Sequence, residues 1–313
     1  MTMPNQLPNQ PTHQTQSQAQ HQADSVQITD VLLRDGLQDE KSVLTPEQRI
    51  DLGQQLAAAG VTRMEIGSMV NPARVPQMAG SEDVLAGLQR TTDAELTMLV
   101  LNARGVQRAV DAGAEHIQIV ASASEAHSQR NAGRSVETAI AELGEQLAVA
   151  PDTHFFAGIS TAFTCPFEGE IPAERLVRIV RQFAAMGVTE IGLADTLGTT
   201  EPEKVMASLD TVLAAEPELT YHLHLHNAHG RALDTVDAAL RVGVRRFDAA
   251  VGGYGGCPFA PGAAGNLATE ELVRHLHAAG VDTGIDPAAV AEVSRRATAL
   301  LAAAPALDLQ ESR

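Results

Sequence analysis

Along the chain, short apolar runs alternate with longer Ala-rich stretches in which apolar residues return every three or four positions. The runs predict eight strands: VQITDVLL (26–33), TRMEIGS (62–68), ELTMLV (95–100), HIQIVA (116–121), THFFAGIS (153–160), TEIGLA (189–194), LTYHLHL (219–225) and RRFDAAV (245–251). A helix is predicted after each. In TPEQRIDLGQQLAAAG, Thr45 is placed to cap, Pro46 to take the first helical position and Gly60 to end the helix, and IPAERLVRIVRQFAAMG repeats the pattern. About eight such units in about 250 residues suit a (β/α)8 TIM barrel spanning 26–285. No G-x-G-x-x-G opens the first helix, which disfavours an open doubly wound sheet. PAAVAEVSRRATALLAAAPA predicts an extra C-terminal helix within 286–313, and the Gln-, Asn- and Pro-rich residues 1–25 predict a disordered tail.

In barrels of this kind the reacting groups stand where strands end and βα loops begin. That rule selects Arg34 and Asp35 after the first strand, Glu65 and Ser68 at the end of the second, and Asp195 after the sixth. It also selects His224 and His226 at the end of the seventh, and the loop GGYGGCPFAPGAAGN after the eighth. In YHLHLHNAHG, alternation sends His222, His224 and His226 to one face of a strand and Leu223 and Leu225 to the other. An H-x-H pair alone is more often a polar strand face than a metal site. Asp35 adds a carboxylate, however, and Asn266 an amide oxygen, and such mixed N/O ligation suits an octahedral divalent ion, Mg²⁺ or Mn²⁺, with Zn²⁺ or Co²⁺ able to substitute. Two histidines and a carboxylate also make the facial triad of non-haem iron oxygenases, so the ligand set by itself names no reaction. His222 is expected one layer deeper, as a hydrogen-bonded interior residue. Arg34 is either a loop ion pair with Asp35 or a fork of donors for an enolate-type oxyanion. The glycine-rich loop carries Cys257 and closes on Asn266, which fits a mobile lid bearing a reactive thiol better than a plain connection. Cys165, in TCPFEGE, is expected to pack or support.

Composition narrows the partners. With 22 basic and 39 acidic residues the formal net charge is −17, which argues against nucleic acid or an anionic membrane as the main partner and requires a locally basic pocket for any anionic substrate. Two cysteines cannot form a disulfide framework. With no signal-like or membrane-spanning run, the expected location is the cytoplasm.

RDGLQDEK (34–41), VPQM (75–78), CPFEGE (165–170), LADTLG (193–198), HLHNAHG (224–230) and GGCPFAPGAAGNLATEEL (255–272) together resemble 3-hydroxy-3-methylglutaryl-CoA lyases of the DRE-TIM metallolyase superfamily. The similarity runs in order from about Ile28 to about Asp286. Related synthases and aldolases share the R-D-G turn and the H-x-H strand, while G-G-C-P points to the lyase branch. The resemblance implies a carbon–carbon lyase acting on an acyl-CoA thioester, in the chemistry of leucine degradation and ketone bodies, as a homodimer or higher homo-oligomer. It implies that Asp35, His224, His226 and Asn266 hold the ion and that Arg34 meets the thioester carbonyl. Cys257 matches a lid thiol, Glu65 and Asp195 active-site acids, and Gln38 and Ser68 polar pocket positions. Departures from the family pattern stand at Leu33, Asn227, His229 and Gly192 and in AAVGGYGGCPF, several of them flanking the pocket, and they leave the acyl group open. A condensing enzyme or aldolase on the same scaffold, or a metal-binding paralogue without catalysis, are the alternatives.

Overall fold

The computed structural model describes residues 25–147, 150, 152–256 and 265–306. Eight parallel strands close into a barrel: β1 (Gln27–Asp30), β2 (Arg63–Ser68), β3 (Glu95–Val100), β4 (His116–Ser122), β5 (His154–Ser160), β8 (Glu190–Asp195), β9 (Thr220–Leu225) and β10 (Arg246–Ala249). Around the barrel each strand pairs with the next in sequence, and β10 pairs with β1 to shut the ring. The molecule is thus a TIM barrel. Every residue of β2 is buried, as expected of a strand with side chains in the barrel on one face and under helices on the other.

Helix α1 (Pro46–Ala58) begins as its sequence signals: the Thr45 hydroxyl accepts from Gln48 N and the Gln48 side chain returns to Thr45 N. One turn later, Arg49 is wholly buried and donates to the carbonyls of Ile66 (2.9 Å), Ala79 (3.1 Å) and Gln77 (3.3 Å). The guanidinium thereby ties α1 to the C-terminal half of β2, and its burial pulls its pKa down to about 10.

Several predicted boundaries move for physical reasons. The first strand stops at Asp30, and Leu32–Gly36 coils into a single π-helical turn. The Asp30 carboxylate anchors this break, accepting from Leu32 N (3.0 Å), Val251 N (3.1 Å) and the Thr269 hydroxyl (2.6 Å). β10 ends at Ala249, two residues early, where Val251–Gly253 forms a 3-10 turn. After β5 a short antiparallel hairpin, β6 (Thr164–Cys165) with β7 (Gly169–Glu170), precedes the helix. The predicted C-terminal helix is Pro287–Ala303, capped by the Asp286 carboxylate and packed on α1, on Thr269–Ala278 and on the 3-10 turn. The tail at 1–24 and the segment 257–264, with Cys257, lie outside the described residues. Among those described, no helix is long and apolar enough to cross a membrane.

Candidate metal centre and acyl cavity

The π-helical turn and the end of β9 bring Asp35, His224 and His226 together at the C-terminal mouth of the barrel. Asp35 Oδ2 lies 3.8 Å from Nε2 of each histidine, and the two Nε2 atoms are 3.2 Å apart. A triangle with those edges has a centre about 2.1 Å from each corner, the bond length of a divalent first-row ion to nitrogen or oxygen. The other oxygen of Asp35 accepts from Arg34 Nη1, so the carboxylate bridges the guanidinium and the histidines. Burial opposes ionisation of Asp35, but Arg34 and the two imidazoles outweigh it and hold the carboxyl well below the usual range.

Asn266 completes the cluster from the strand-like bridge it forms with His226. Its amide nitrogen donates to Asp35 Oδ2 (2.7 Å) and to the Tyr254 carbonyl (2.9 Å), while its Oδ1 is buried with no hydrogen-bond partner among the described residues. A buried carbonyl oxygen without a donor is costly unless a cation accepts its lone pair. The donor set therefore fits a hard divalent ion.

Asp248, on β10, is a side chain of this cluster that reading the sequence missed. Its Oδ2 lies 3.2 Å from His224 Nδ1, a contact that suits a ring proton on Nδ1 and leaves the Nε2 lone pair facing the space shared with Asp35 and His226. Burial raises the Asp248 carboxyl, but His222 and His224 bring it below its ordinary value. Burial lowers His224, and its hydrogen bond to Asp248 and the charge of Asp35 reverse that, so its net shift is upward. The available signal was an acid in the strand RRFDAAV, four residues before the loop searched.

The remaining predicted residues are distributed more widely. Arg34 and Gln38 line the cavity in front of the cluster. Glu65 is buried and accepts from Arg34 Nε (2.6 Å), so it orients the guanidinium. Burial works against the charge of Arg34, yet Asp35 and Glu65 beside it keep it firmly protonated. Ser68 is buried on β2. Asp195 is turned to Thr200, accepting from its backbone N (3.1 Å) and hydroxyl (2.8 Å), and its burial raises its pKa. Cys165 is buried and donates to the Ser124 hydroxyl (2.9 Å), in keeping with a supporting role. Of the departures from the family pattern, Leu33 is buried, Asn227 accepts from Ala232 N at the head of a helix, and His229 is exposed.

The cavity, about 170 Å³, opens beside Gln38, Asp39, Leu101 and Asn131 into a groove of about 940 Å³. Arg74, Arg104, Arg108 and Arg134 stand along that groove, a local basic lining on an acidic chain. Arg108 is paired with Glu82 and Arg134 with Glu142.

A parallel barrel with two imidazoles and a carboxylate at its C-terminal mouth, backed by an arginine, is a TIM barrel with a candidate metal site where such folds carry their chemistry. The HMGL-like family model matches residues 25–296, and the chain belongs to that family, as a carbon–carbon lyase. It is 42% identical to an (R)-citramalyl-CoA lyase of Chloroflexus aurantiacus, over 87% of this chain and 89% of that protein. It is 37% identical to the hydroxymethylglutaryl-CoA lyase of Pseudomonas mevalonii, over 90% and 94% of the two. Among solved structures, an HMG-CoA lyase of A. baumannii in complex with coenzyme A and 3-methylmalate superposes with a TM-score of 0.85 at 38% identity, covering 92% of this chain and 94% of that one.

Proposed function

We propose that the protein cleaves 3-hydroxy-3-methylglutaryl-CoA, or a close 3-hydroxyacyl-CoA analogue such as citramalyl-CoA, to acetyl-CoA and the matching ketoacid. The observation that carries this reading is the Asp35–His224–His226 triangle with Arg34 at its edge and a basic groove leading away. Asp35, His224, His226 and Asn266 would hold Mg²⁺ or Mn²⁺. When bound, such an ion supplies Lewis-acid polarisation that acidifies the substrate's tertiary hydroxyl.

The chain's own groups then handle protons and charge. A base removes the hydroxyl proton and the new carbonyl forms. The C2–C3 bond breaks, and its electron pair passes into the thioester as an enolate. Arg34, held by Glu65 and Asp35 on two of its nitrogens, presents its positive charge to that oxygen; preorganised donors of this kind are often worth about 3 kcal/mol. Cys257 or His224 returns a proton to the enolate carbon, which gives acetyl-CoA. The groove with Arg74 and Arg104 receives the phosphates of the coenzyme A arm.

Acetyl-CoA release is the test. Protein stripped with EDTA is assayed with 3-hydroxy-3-methylglutaryl-CoA and (R)-citramalyl-CoA, before and after Mg²⁺ or Mn²⁺ is restored. Release from at least one thioester, dependent on the added ion, is expected. No release from either at saturating metal would overturn the proposal.

A further inference from the structure

The barrel interior lacks two adjacent side chains. Gly158 on β5 is the register partner of Gly192 on β8, and Gly192 is the partner of His222 on β9. The space is not spare. A methyl group at Gly192 would stand 2.1 Å from His222 Nε2, and one at Gly158 would stand 3.0 Å from Gln118 Nε2. Two neighbouring side chains thus lie across two glycines, and both line the cavity.

His222 is two residues before His224 on the same face of β9, so its ring sits one layer beneath the metal-ligand triangle. Its Nδ1 is 3.2 Å from Glu190 Oε1 and its Nε2 is 3.7 Å from Asp248 Oδ2. Glu190 also accepts from Arg63 Nη1 at 2.6 Å and pairs with Arg246, so the imidazole shares that carboxylate with two arginines. What the imidazole does there that no neighbour does is fill the void over Gly192.

We propose that His222 and Gln118, seated over Gly192 and Gly158, form a polar floor that limits the acyl group, selecting heads whose carbinol carbon carries, beside its hydroxyl, carboxylate and thioester arms, no alkyl substituent longer than methyl. This rests on the lyase reading above. A longer alkyl substituent running down the barrel would push the imidazole off Gly192 and away from Glu190 and Asp248, and would press hydrocarbon against the amide of Gln118. A single methylene in a fitted pocket commonly changes kcat/KM by roughly 10- to 200-fold, so a floor one ring thick is enough to separate acyl groups.

The experiment measures kcat/KM for 3-hydroxy-3-methylglutaryl-CoA and for the analogue with butyl in place of methyl. It is run on the parent protein, His222→Ala, Gln118→Ala, Gly192→Ala and the His222→Ala/Gly192→Ala pair. The parent is expected to disfavour the butyl substrate, and His222→Ala to move the butyl-to-methyl ratio upward by roughly tenfold or more. Gly192→Ala is expected to lower Tm in the parent and to have little effect on Tm in the His222→Ala background, where the added methyl meets no ring. A folded His222→Ala variant with the parent ratio would overturn the proposal. If that variant fails to fold, an unchanged ratio in Gln118→Ala overturns it equally. A parent protein that cleaves neither thioester refutes the lyase reading instead, and the floor is then read from calorimetric binding of the two free hydroxy acids, where equal affinities in parent and His222→Ala refute it.

Discussion

Asp248 lines the cavity, and its contact with His224 makes it the support of the proposed metal site. Asp248→Asn keeps the shape and an acceptor oxygen near His224 Nδ1 but removes the negative charge, 3.2 Å away, that raises the basicity of that imidazole. Both side chains are largely buried, so solvent screens the interaction little. Carboxylates that support a ligating histidine typically contribute 10- to 100-fold in metal affinity, or about 1.4 to 2.7 kcal/mol. Asp248→Ala should lie at the upper end, since it also leaves His224 Nδ1–H without its acceptor. Calorimetric titration of EDTA-stripped protein with Mn²⁺ measures Kd directly, and circular dichroism checks that each variant is folded. The order parent, Asn, Ala in rising Kd is expected, with kcat falling in parallel. Mn²⁺ affinity in folded Asp248→Asn within twofold of the parent would refute the reasoning, because the 3.2 Å contact would then not tune the ligand.

Arg34→Lys keeps a charge but not the planar fork that meets Asp35, Glu65 and the thioester oxygen, so kcat should drop at least roughly a hundredfold while Mn²⁺ affinity moves far less; steady-state kinetics with metal titration separates the two. Glu190 supplies a pH dependence. Burial raises its pKa, but His222, Arg63 and Arg246 more than reverse this and bring it down from 4.5 to about 2. Its stabilising contribution is therefore complete above the unfolded value and is lost as pH falls through the folded one. Glu190→Gln should be less stable than the parent by up to about 3 kcal/mol near neutral pH, and the gap should close between pH 4.5 and 2 in urea-denaturation series. Cys257→Ala should leave Mn²⁺ affinity and fold intact and cut turnover by about 10² to 10⁴-fold; turnover at the parent rate would make the thiol a bystander and assign proton transfer to His224 or a bound water.

Periodicity and chemistry that act over a few residues were written into the sequence. The eight strand segments, the Thr45 cap of α1, the common face of His222, His224 and His226, and the placement of Arg34 and Asp35 after the first strand all follow from repeats of 2.0 or 3.6 residues and from local capping. Tertiary structure decided whatever depends on register between distant segments. Asp248 meets His224 because β10 pairs with β9 at that register, which no pattern within RRFDAAV encodes. Arg34 is aimed by a π-helical turn where alternation predicted continued strand, because Asp30 reaches across to Val251 and Thr269 and ends β1 early. Asp195, chosen for its place at a strand end, is turned to Thr200 by the loop that follows it. Gly192 reads as a gap in one strand; only closure of the barrel lays His222 of the next strand over it, because strand neighbours are set by pairing across the sheet and not by distance along the chain.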